Sequence, residues 1–85
     1  MKNMKNIKNT ITNTNNGLIG LKAIRKKRKL NQLKVAMDLH ISRESLSYYE
    51  NGKRSPDIQM LKQLSDYFDV SIDYLITGKE FENKK

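Results

Sequence analysis

The chain has 85 residues with a formal net charge of +8, 36 % hydrophobic and 31 % charged residues, and no cysteine. These values fit one domain and exclude a disulfide framework, a thiolate zinc site and a transmembrane helix, so we expect a soluble protein of the cytoplasm. Residues 1–30 contain nine of the 17 Lys and Arg residues and no acid, which points to a polyanionic partner: nucleic acid before an anionic membrane surface.

The N-terminal segment, MKNMKNIKNTITNTNN, contains six asparagines, three lysines and no acid. Asparagine disfavours both helix and strand, and the segment offers no continuous apolar face to bury. We therefore predict a disordered basic arm over residues 1–17. Two hypotheses remain for this arm: it lies in a DNA groove, as homeodomain arms do, or it is a terminus without a binding role.

Helical spacing begins at Leu21, and two short helices are predicted between this residue and Leu39. The basic run from Arg25 to Lys29 winds around the first helix beside its apolar side. Asn31 suits the N-cap of the second helix because its side chain accepts a hydrogen bond from a free backbone N–H. The apolar positions are Leu21, Ala23 and Ile24 in the first helix and Val35, Ala36 and Leu39 in the second.

A third helix is predicted within the sequence SRESLSYYENGKRSP, residues 42–56. Ser42 is a second good N-cap, after a tight turn at His40 and Ile41. We expect the helix to end at Asn51, because the next residue, Gly52, readily takes the left-handed conformation that terminates helices.

Two further helices are predicted in the C-terminal part. Pro56 and Asp57 open the fourth, and Ser71 caps a short fifth helix that Gly78 ends. No stretch alternates apolar and polar residues as a strand does, so the predicted fold class is all-α. The apolar face of the fourth helix contains Ile58, Leu61, Leu64 and Phe68, and the fifth helix covers residues 72–77.

The third helix carries a mixed polar arc. At about 100° per residue, the apolar residues Leu46 and Tyr49 fall on one side of its axis. Arginine, glutamate, serine, tyrosine and asparagine share the other side, which suits hydrogen bonding to base edges in a DNA major groove. An ordinary amphipathic helix with a mixed solvent-facing surface is the alternative for this helix alone. The polar arc consists of Arg43, Glu44, Ser47, Tyr48 and Asn51.

The second helix favours the DNA interpretation. Apolar side chains occur where two crossing helices must interlock around a short turn, and the small Ala36 lies where their backbones come closest. Gln32 stands at the start of this helix, whose N-terminus favours a phosphate through its free N–H groups and its dipole. Together these features predict a helix-turn-helix. The interlocking residues are Val35, Leu39, Ile41, Leu46 and Tyr49.

The stretch LNQLKVAMDLHISRESLSYYENGKRSPDIQMLKQLSDYFDVSIDYLITGK closely resembles the lambdoid-phage repressor and Cro family of DNA-binding domains. The resemblance covers residues 18–78 and implies a compact five-helix domain, after which we expect a flexible tail over residues 79–85. Members of this family bind operator DNA as homodimers and usually repress transcription, so we expect both properties here. The family usually has glycine in the turn; His40 replaces it, and histidine is among the non-glycine residues that best tolerate a positive φ.

By position, the resemblance implies two sets of DNA contacts. Arg43 can fork onto a guanine and Glu44 can accept from a cytosine amine, although a pairing of these two side chains that only orients the arginine is an alternative. Tyr48 can pack on a thymine methyl group or reach the DNA backbone. The base-reading set is Arg43, Glu44, Ser47 and Tyr48, and the phosphate set is Gln32, Ser42, Asn51, Lys53 and Arg54.

A structural ion pair and a subunit interface are also expected. The resemblance implies that Arg25 in helix 1 pairs with Glu50 in helix 3, against the alternative of two independently solvated charges. The subunit interface is expected at helix 5 and its flanks, where Leu75 instead closes the core of the monomer. The expected interface residues are Tyr74, Ile76 and Phe81.

Other functions fit the residues less well. With one histidine, no cysteine, no Gly-rich phosphate loop and no paired carboxylates, we expect neither an enzyme nor a metal or other cofactor. Two alternatives without catalysis stay open. One is a DNA-binding antitoxin that also neutralises a protein toxin, and the other is a protein-bridging coactivator of the same fold or an RNA binder.

Overall fold

A computed structural model of the chain describes residues 17–79, and within this range the chain forms α-helices and no strand. The all-α prediction is therefore confirmed. No helix in this range is long and apolar enough to cross a membrane. The predicted arm over residues 1–17 and the predicted tail over residues 79–85, which includes Phe81, lie outside the described residues except for Gly17 and Lys79. The five helices are α1 (Ile19–Lys27), α2 (Gln32–Leu39), α3 (Arg43–Asn51), α4 (Ile58–Phe68) and α5 (Ile72–Thr77).

Side-chain caps start the four helices α2 to α5. In each case an oxygen of the cap residue accepts a hydrogen bond of 2.8–2.9 Å from the backbone N–H three residues later. The predicted caps at Asn31, Ser42 and Ser71 are confirmed, and Asp57 is the cap of α4. These starts depend on local chemistry, since each cap satisfies an N–H that the helix itself leaves free.

Left-handed residues end the same four helices. His40, Gly52, Asp69 and Gly78 have φ values between 57° and 82°. The predicted helix ends at Gly52 and Gly78 are confirmed, and His40 has the positive φ that histidine tolerates better than most non-glycine residues. This conformation lets the chain reverse direction within the short turn between α2 and α3.

The chain enters α1 along the last turn of α3. The Leu18 N–H donates to the Tyr49 carbonyl oxygen, 3.1 Å away. Gly17 has a φ of 72°, and a Cβ atom at this position would lie only 2.4 Å from both the Glu50 carbonyl oxygen and the Gly52 nitrogen. Only glycine fits here, because any side chain would collide with the backbone of α3.

A single apolar core lies between the helices of the described range, and two residues predicted for it are exposed. Ala23 faces solvent because it lies on the opposite side of α1 from the buried residues. Ile58 is 80 % exposed: it lies in the first turn of α4, about 90° around the axis from the other three apolar residues of that helix. The buried core residues are Leu21, Ile24, Val35, Ala36, Leu46, Leu64, Phe68 and Leu75.

The backbones of α1 and α5 come close together at Gly20. This residue is buried in α1, and a Cβ atom there would lie 1.7 Å from the Tyr74 carbonyl oxygen of α5. A glycine inside a helix weakens it by about 1 kcal/mol relative to alanine, so the position needs a packing reason. That reason is the contact between α1 and α5, which closes the core over Leu75.

Two polar contacts attach α4 to its neighbours. The Tyr67 hydroxyl donates to the Asp38 carboxylate of α2, 2.6 Å away. This hydrogen bond lowers the pKa of Asp38 and raises the pKa of Tyr67 to about 12. Since the hydrogen bond needs a protonated hydroxyl and an ionised carboxylate, its stabilising effect is lost as the pH rises through about 12 and also as the pH falls through the lowered pKa of Asp38. The Arg28 guanidinium donates to the Phe68 carbonyl oxygen, 2.7 Å away, and lies over the Phe68 ring.

Candidate nucleic-acid interface

α2, the turn and α3 form one packed unit. The Ile41 N–H donates to the Ala36 carbonyl oxygen, 3.0 Å away, and holds the turn against the end of α2. Leu46 of α3 is fully buried against the core, together with Val35 and Ala36 of α2. The remaining predicted interlocking residues are half-buried and pack against that core: Leu39, Ile41 and Tyr49. One side of α3 is therefore fixed to the fold, and the other side is free to contact a partner.

A buried ion pair anchors the end of α3 to α1. The Arg25 Nε and Nη2 atoms donate to the two carboxylate oxygens of Glu50, at 2.6 and 3.0 Å. Arg25 Nη1 also donates to the Leu30 carbonyl oxygen, 2.8 Å away. Glu50 is only 3 % exposed, so this geometry differs from the alternative of two solvated charges. A bidentate pair of this kind fixes both the position and the rotation of the helix that carries it.

Gln32, the first residue of α2, joins this ion pair to the exposed face of α3. Its Nε2 atom donates to Glu50 Oε1, 3.0 Å away, and its Oε1 atom accepts from Arg43 Nη1 at 3.1 Å. A phosphate contact was predicted for Gln32 from the sequence, whereas these two hydrogen bonds were not predicted. They depend on how α2 and α3 meet, and only the position of Gln32 at a helix start hinted at a role.

The polar arc of α3 faces solvent over most of its length. Arg43, Glu44 and Asn51 are exposed, while Ser47 and Tyr48 are half-buried. The Asn51 side-chain amide donates to Ser47 Oγ, 3.2 Å away, so two predicted DNA-contacting residues touch each other. Within residues 17–79 no ion pair joins Arg43 to Glu44, whose carboxylate stays available as an acceptor.

The other predicted phosphate-contacting residues flank this arc at both ends of α3. At the start, Ser42 Oγ accepts from the Ser45 N–H and contacts Ser45 Oγ, each at 2.9 Å. At the end, Lys53 and Arg54 follow Gly52, and their backbone N–H groups point at the Tyr48 carbonyl oxygen. Both basic side chains are exposed. The polar arc thus has a serine hydroxyl group at the start of α3 and two basic side chains after the end of α3.

α5 contains two of the three residues predicted for a subunit interface, Tyr74 and Ile76. Tyr74 is half-buried, whereas Ile76 is 47 % exposed and Leu75 is fully buried in the core. Ile76 borders a pocket of about 220 Å³ whose lining includes Leu18, Tyr49 and other residues near the end of α3. The third predicted residue, Phe81, lies outside the described range.

Two helices joined by a short turn, with a polar arc exposed on the second, define a helix-turn-helix DNA-binding domain. The chain belongs to the helix-turn-helix domain family, whose sequence profile matches residues 20–80. The resemblance stated from the sequence and the predicted five-helix fold are both confirmed.

The chain is similar to three curated bacterial regulators. It is 44 % identical over 61 residues to the uncharacterized HTH-type transcriptional regulator YqaE of Bacillus subtilis (strain 168), covering 72 % of this chain and 53 % of that protein. It is 42 % identical over 64 residues to the HTH-type transcriptional regulator ImmR of the same organism, covering 75 % and 50 %. Identity to the HTH-type transcriptional activator BcrR of Enterococcus faecalis is 39 % over 57 residues, covering 67 % and 28 %. The chain spans about half the length, or less, of these relatives.

Proposed function

We propose that this chain is a transcriptional repressor that binds a two-fold operator in double-stranded DNA as a homodimer, with α3 in the major groove. The observation that carries the proposal is the polar arc of α3, which stays accessible while Leu46 and the Arg25–Glu50 pair fix the opposite side of the helix. The relatives named as transcriptional regulators support the same function. The protein then acts in the cytoplasm, where bacterial DNA is located.

In this proposal the residues divide by chemistry into base reading and backbone contact. Arg43, with several N–H donors left free, forks onto a guanine, and Glu44 accepts from a cytosine amine. The exposed charges of Lys53 and Arg54 neutralise phosphates at the end of α3. The full sets are Arg43, Glu44, Ser47 and Tyr48 for bases, and Ser42, Asn51, Lys53 and Arg54, with Gln32 beside them, for the backbone.

Selection of bound duplexes from a random pool tests this function. We expect an enriched two-fold repeat whose half-sites lie about one turn of DNA, 34–36 Å, apart. The protein is added at low ionic strength against a large excess of random competitor, because the phosphate contacts alone produce binding without sequence preference. If no duplex is enriched over the competitor, the chain does not read DNA sequence and the proposal is wrong.

Replacing Arg43 by alanine is expected to weaken binding to the selected duplex by about 1–3 kcal/mol, because one bidentate base contact is lost. Preference at one base pair of each half-site should disappear with it. Titration of the selected duplex and of its single-base-pair variants measures both effects. Arg54→Ala is the matched control and should weaken all of these duplexes alike. Equal weakening of all duplexes by Arg43→Ala would assign that arginine to the DNA backbone instead.

Replacing Lys53 by alanine is expected to lower affinity for every duplex and to flatten the salt slope, the dependence of log affinity on log salt concentration, by about one unit. The physical reason is the release of fewer counterions when one phosphate contact is missing. Binding titrations at several salt concentrations give the slope. Lys62→Ala, at an exposed position of α4, should leave it unchanged. A slope that Lys53→Ala does not alter would remove this residue from the phosphate set.

Homodimerisation is proposed through Tyr74, Ile76 and Phe81. Ile76 presents apolar surface beside an open pocket, and burial of such surface stabilises association by about 25 cal/mol per Å². Sedimentation velocity at micromolar concentration should show a dimer, and Ile76→Asp should shift it to monomer. Met37→Asp, at an exposed position of α2, is the control and should leave the dimer intact. A wild-type protein that stays monomeric with and without DNA would contradict the dimer.

Activation is the second candidate for the sign of regulation, because one relative is named as a transcriptional activator. A reporter gene placed downstream of the selected duplex distinguishes the two signs: repression lowers its expression and activation raises it. Antitoxin or coactivator functions of the same fold predict a stable complex with a partner protein. RNA binding predicts competition by RNA at least as strong as that by duplex DNA.

A further inference from the structure

We infer that Asn51 makes the Ser47 hydroxyl a hydrogen-bond donor toward DNA, so that Ser47 selects a base with an acceptor atom at its major-groove edge and rejects cytosine. This inference rests on the proposed function of α3 and deepens it, because it names the chemical class of base that one residue reads. The observation behind it is the hydrogen bond from Asn51 Nδ2 to Ser47 Oγ, 3.2 Å long, between two side chains of the polar arc.

A serine hydroxyl by itself does not distinguish between donors and acceptors on a base. It has one proton to donate and two lone pairs that accept, so serine contacts either kind of atom. The Asn51 amide changes this balance, because its proton occupies one lone pair of Ser47 Oγ. A hydroxyl that accepts one hydrogen bond is also polarised into a stronger donor. Ser47 therefore meets a base mainly through its own proton.

The Ser47 proton is not used by the fold within residues 17–79. Hydroxyl groups in helices often donate to the carbonyl oxygen four residues earlier. Thr77 of α5 does so, toward the Asp73 carbonyl oxygen at 3.0 Å. Ser65 of α4 donates to the Val70 carbonyl oxygen. Those two hydroxyls are occupied, whereas Ser47 keeps its proton available on the polar arc.

The major-groove edges of the bases respond differently to such a donor. Guanine presents N7 and O6, adenine presents N7 and thymine presents O4, and all of these atoms are acceptors. Cytosine presents only its N4 amine, which is a donor. This amine could use the remaining lone pair of Ser47, but the Ser47 proton would then lose its water partner and find no acceptor on the base. An unpaired, desolvated donor weakens the complex, so cytosine is rejected at this position.

The Asn51 amide retains a second donor for the phosphate contact predicted from the sequence. Its Nδ2 atom has two protons, and the hydrogen bond to Ser47 uses one of them. Asn51 is exposed in the last turn of α3, close in sequence to the basic residues Lys53 and Arg54. Loss of a phosphate contact weakens binding to every duplex, whereas loss of the positioning role changes preference at one base pair only. The two roles of Asn51 are therefore separable by experiment.

The first test uses the full chain and the duplex selected from the random pool. Ser47→Ala identifies the base pair at which it abolishes preference. The bases of that pair are then replaced by analogues that lack one groove-edge acceptor: 7-deazapurines, 2-aminopurine for guanine or 5-methyl-2-pyrimidinone for thymine. Removal of the acceptor that Ser47 contacts should weaken wild type about fivefold, the equivalent of one neutral hydrogen bond, and should not affect Ser47→Ala. Removal of a base amine should affect both proteins equally.

Asn51→Asp is the second test, because it reverses the hydrogen bond. A carboxylate only accepts, so the Ser47 proton turns toward it and the hydroxyl presents lone pairs to the DNA. Preference at the same base pair should shift toward cytosine. The added negative charge weakens binding to all duplexes, so the readout is the ratio of affinities between them. Ser55→Asp, at an exposed position after α3, adds the same charge and should leave that ratio unchanged.

A third measurement needs no DNA. In the free protein, one Nδ2 proton resonance of Asn51 should move upfield in Ser47→Ala, because its hydrogen bond is lost. The inference is overturned if Ser47→Ala changes no base preference, if wild type loses affinity through Ser47 when an amine is removed, or if Asn51→Asp leaves the affinity ratio unchanged. Each of these results leaves the proposed function intact. A wild-type protein that prefers no duplex overturns both.

Discussion

Replacing Glu50 by alanine is expected to lower the free energy of unfolding by about 3–5 kcal/mol, because the Arg25 guanidinium would remain buried without its counter-charge. Glu50 accepts hydrogen bonds from Arg25 and Gln32, so the substitution also leaves buried donors unpaired. The total free energy of unfolding of a small domain is only about 5–15 kcal/mol, so the variant should lose much of its stability. Urea denaturation followed by circular dichroism measures the change.

The matched control is Glu44→Ala. Glu44 lies on the same helix but is exposed, so its removal should change stability by at most about 0.5 kcal/mol. A second comparison separates the pair from its individual charges. Replacing Arg25 and Glu50 together by apolar residues of similar size should be milder than Glu50→Ala, because no uncompensated charge remains buried. Equal stability of wild type and Glu50→Ala would mean that the pair does not hold α3 in place.

Replacing Gly20 by alanine is expected to destabilise the fold by about 3 kcal/mol, the upper part of the range for overpacked cores. The new Cβ atom would lie 1.7 Å from the Tyr74 carbonyl oxygen, so α1 and α5 must move apart. Helix propensity alone predicts the opposite sign, since glycine to alanine stabilises a helix by about 1 kcal/mol. The sign of the stability change, measured by thermal and urea denaturation, therefore shows whether the packing clash or the helix propensity is the larger effect.

Ala23→Gly is the control for this prediction. Ala23 is exposed on the same helix, so this change should cost only the propensity difference of about 1 kcal/mol. If Gly20→Ala proves as stable as wild type or more so, the close approach of α1 and α5 is not a feature of the folded protein. The contact also lies beside Tyr74 and Ile76, so disruption of α5 should weaken the proposed dimer as well.

The boundaries of α2 to α5 were predictable from the sequence because they depend on local chemistry, whereas α1, which has no side-chain cap, begins two residues before the predicted Leu21. Asn31, Ser42 and Ser71 each cap a helix through a hydrogen bond to a residue three positions later. Gly52 and Gly78 take the left-handed conformation that glycine adopts at little cost. The interactions behind these predictions span only a few residues, so no knowledge of the tertiary structure was needed.

The errors arose where the tertiary structure decides. Ala23 and Ile58 are apolar and fit a helical repeat, yet both face solvent because the core covers only one side of α1 and the later turns of α4. Gly20 lies just before Leu21, where the predicted helical spacing begins, and the reason for a glycine there is the α5 backbone, which is distant in the sequence. Apolar periodicity identifies a helix more reliably than it identifies the rotation of that helix against its neighbours.

The candidate site also combines features that were predictable from local sequence with contacts that depend on the tertiary structure. The polar arc of α3 was predictable from the wheel positions of residues on one helix, and its exposure agrees with that prediction for Arg43 and Glu44. The contacts of Gln32 with Glu50 and Arg43 join residues 18 and 11 positions apart, so no local pattern contains them. The roles of these residues toward DNA stay predictions that the binding experiments test.

The path of the chain into α1 has a practical consequence for those experiments. Because Gly17 packs against the backbone of Glu50 and Gly52, this residue lies beside the last turn of α3. An affinity tag fused directly to Gly17 in a shortened chain would therefore add its own charge next to the helix that we propose reads DNA. Affinities and salt slopes should be measured after protease removal of any such fusion.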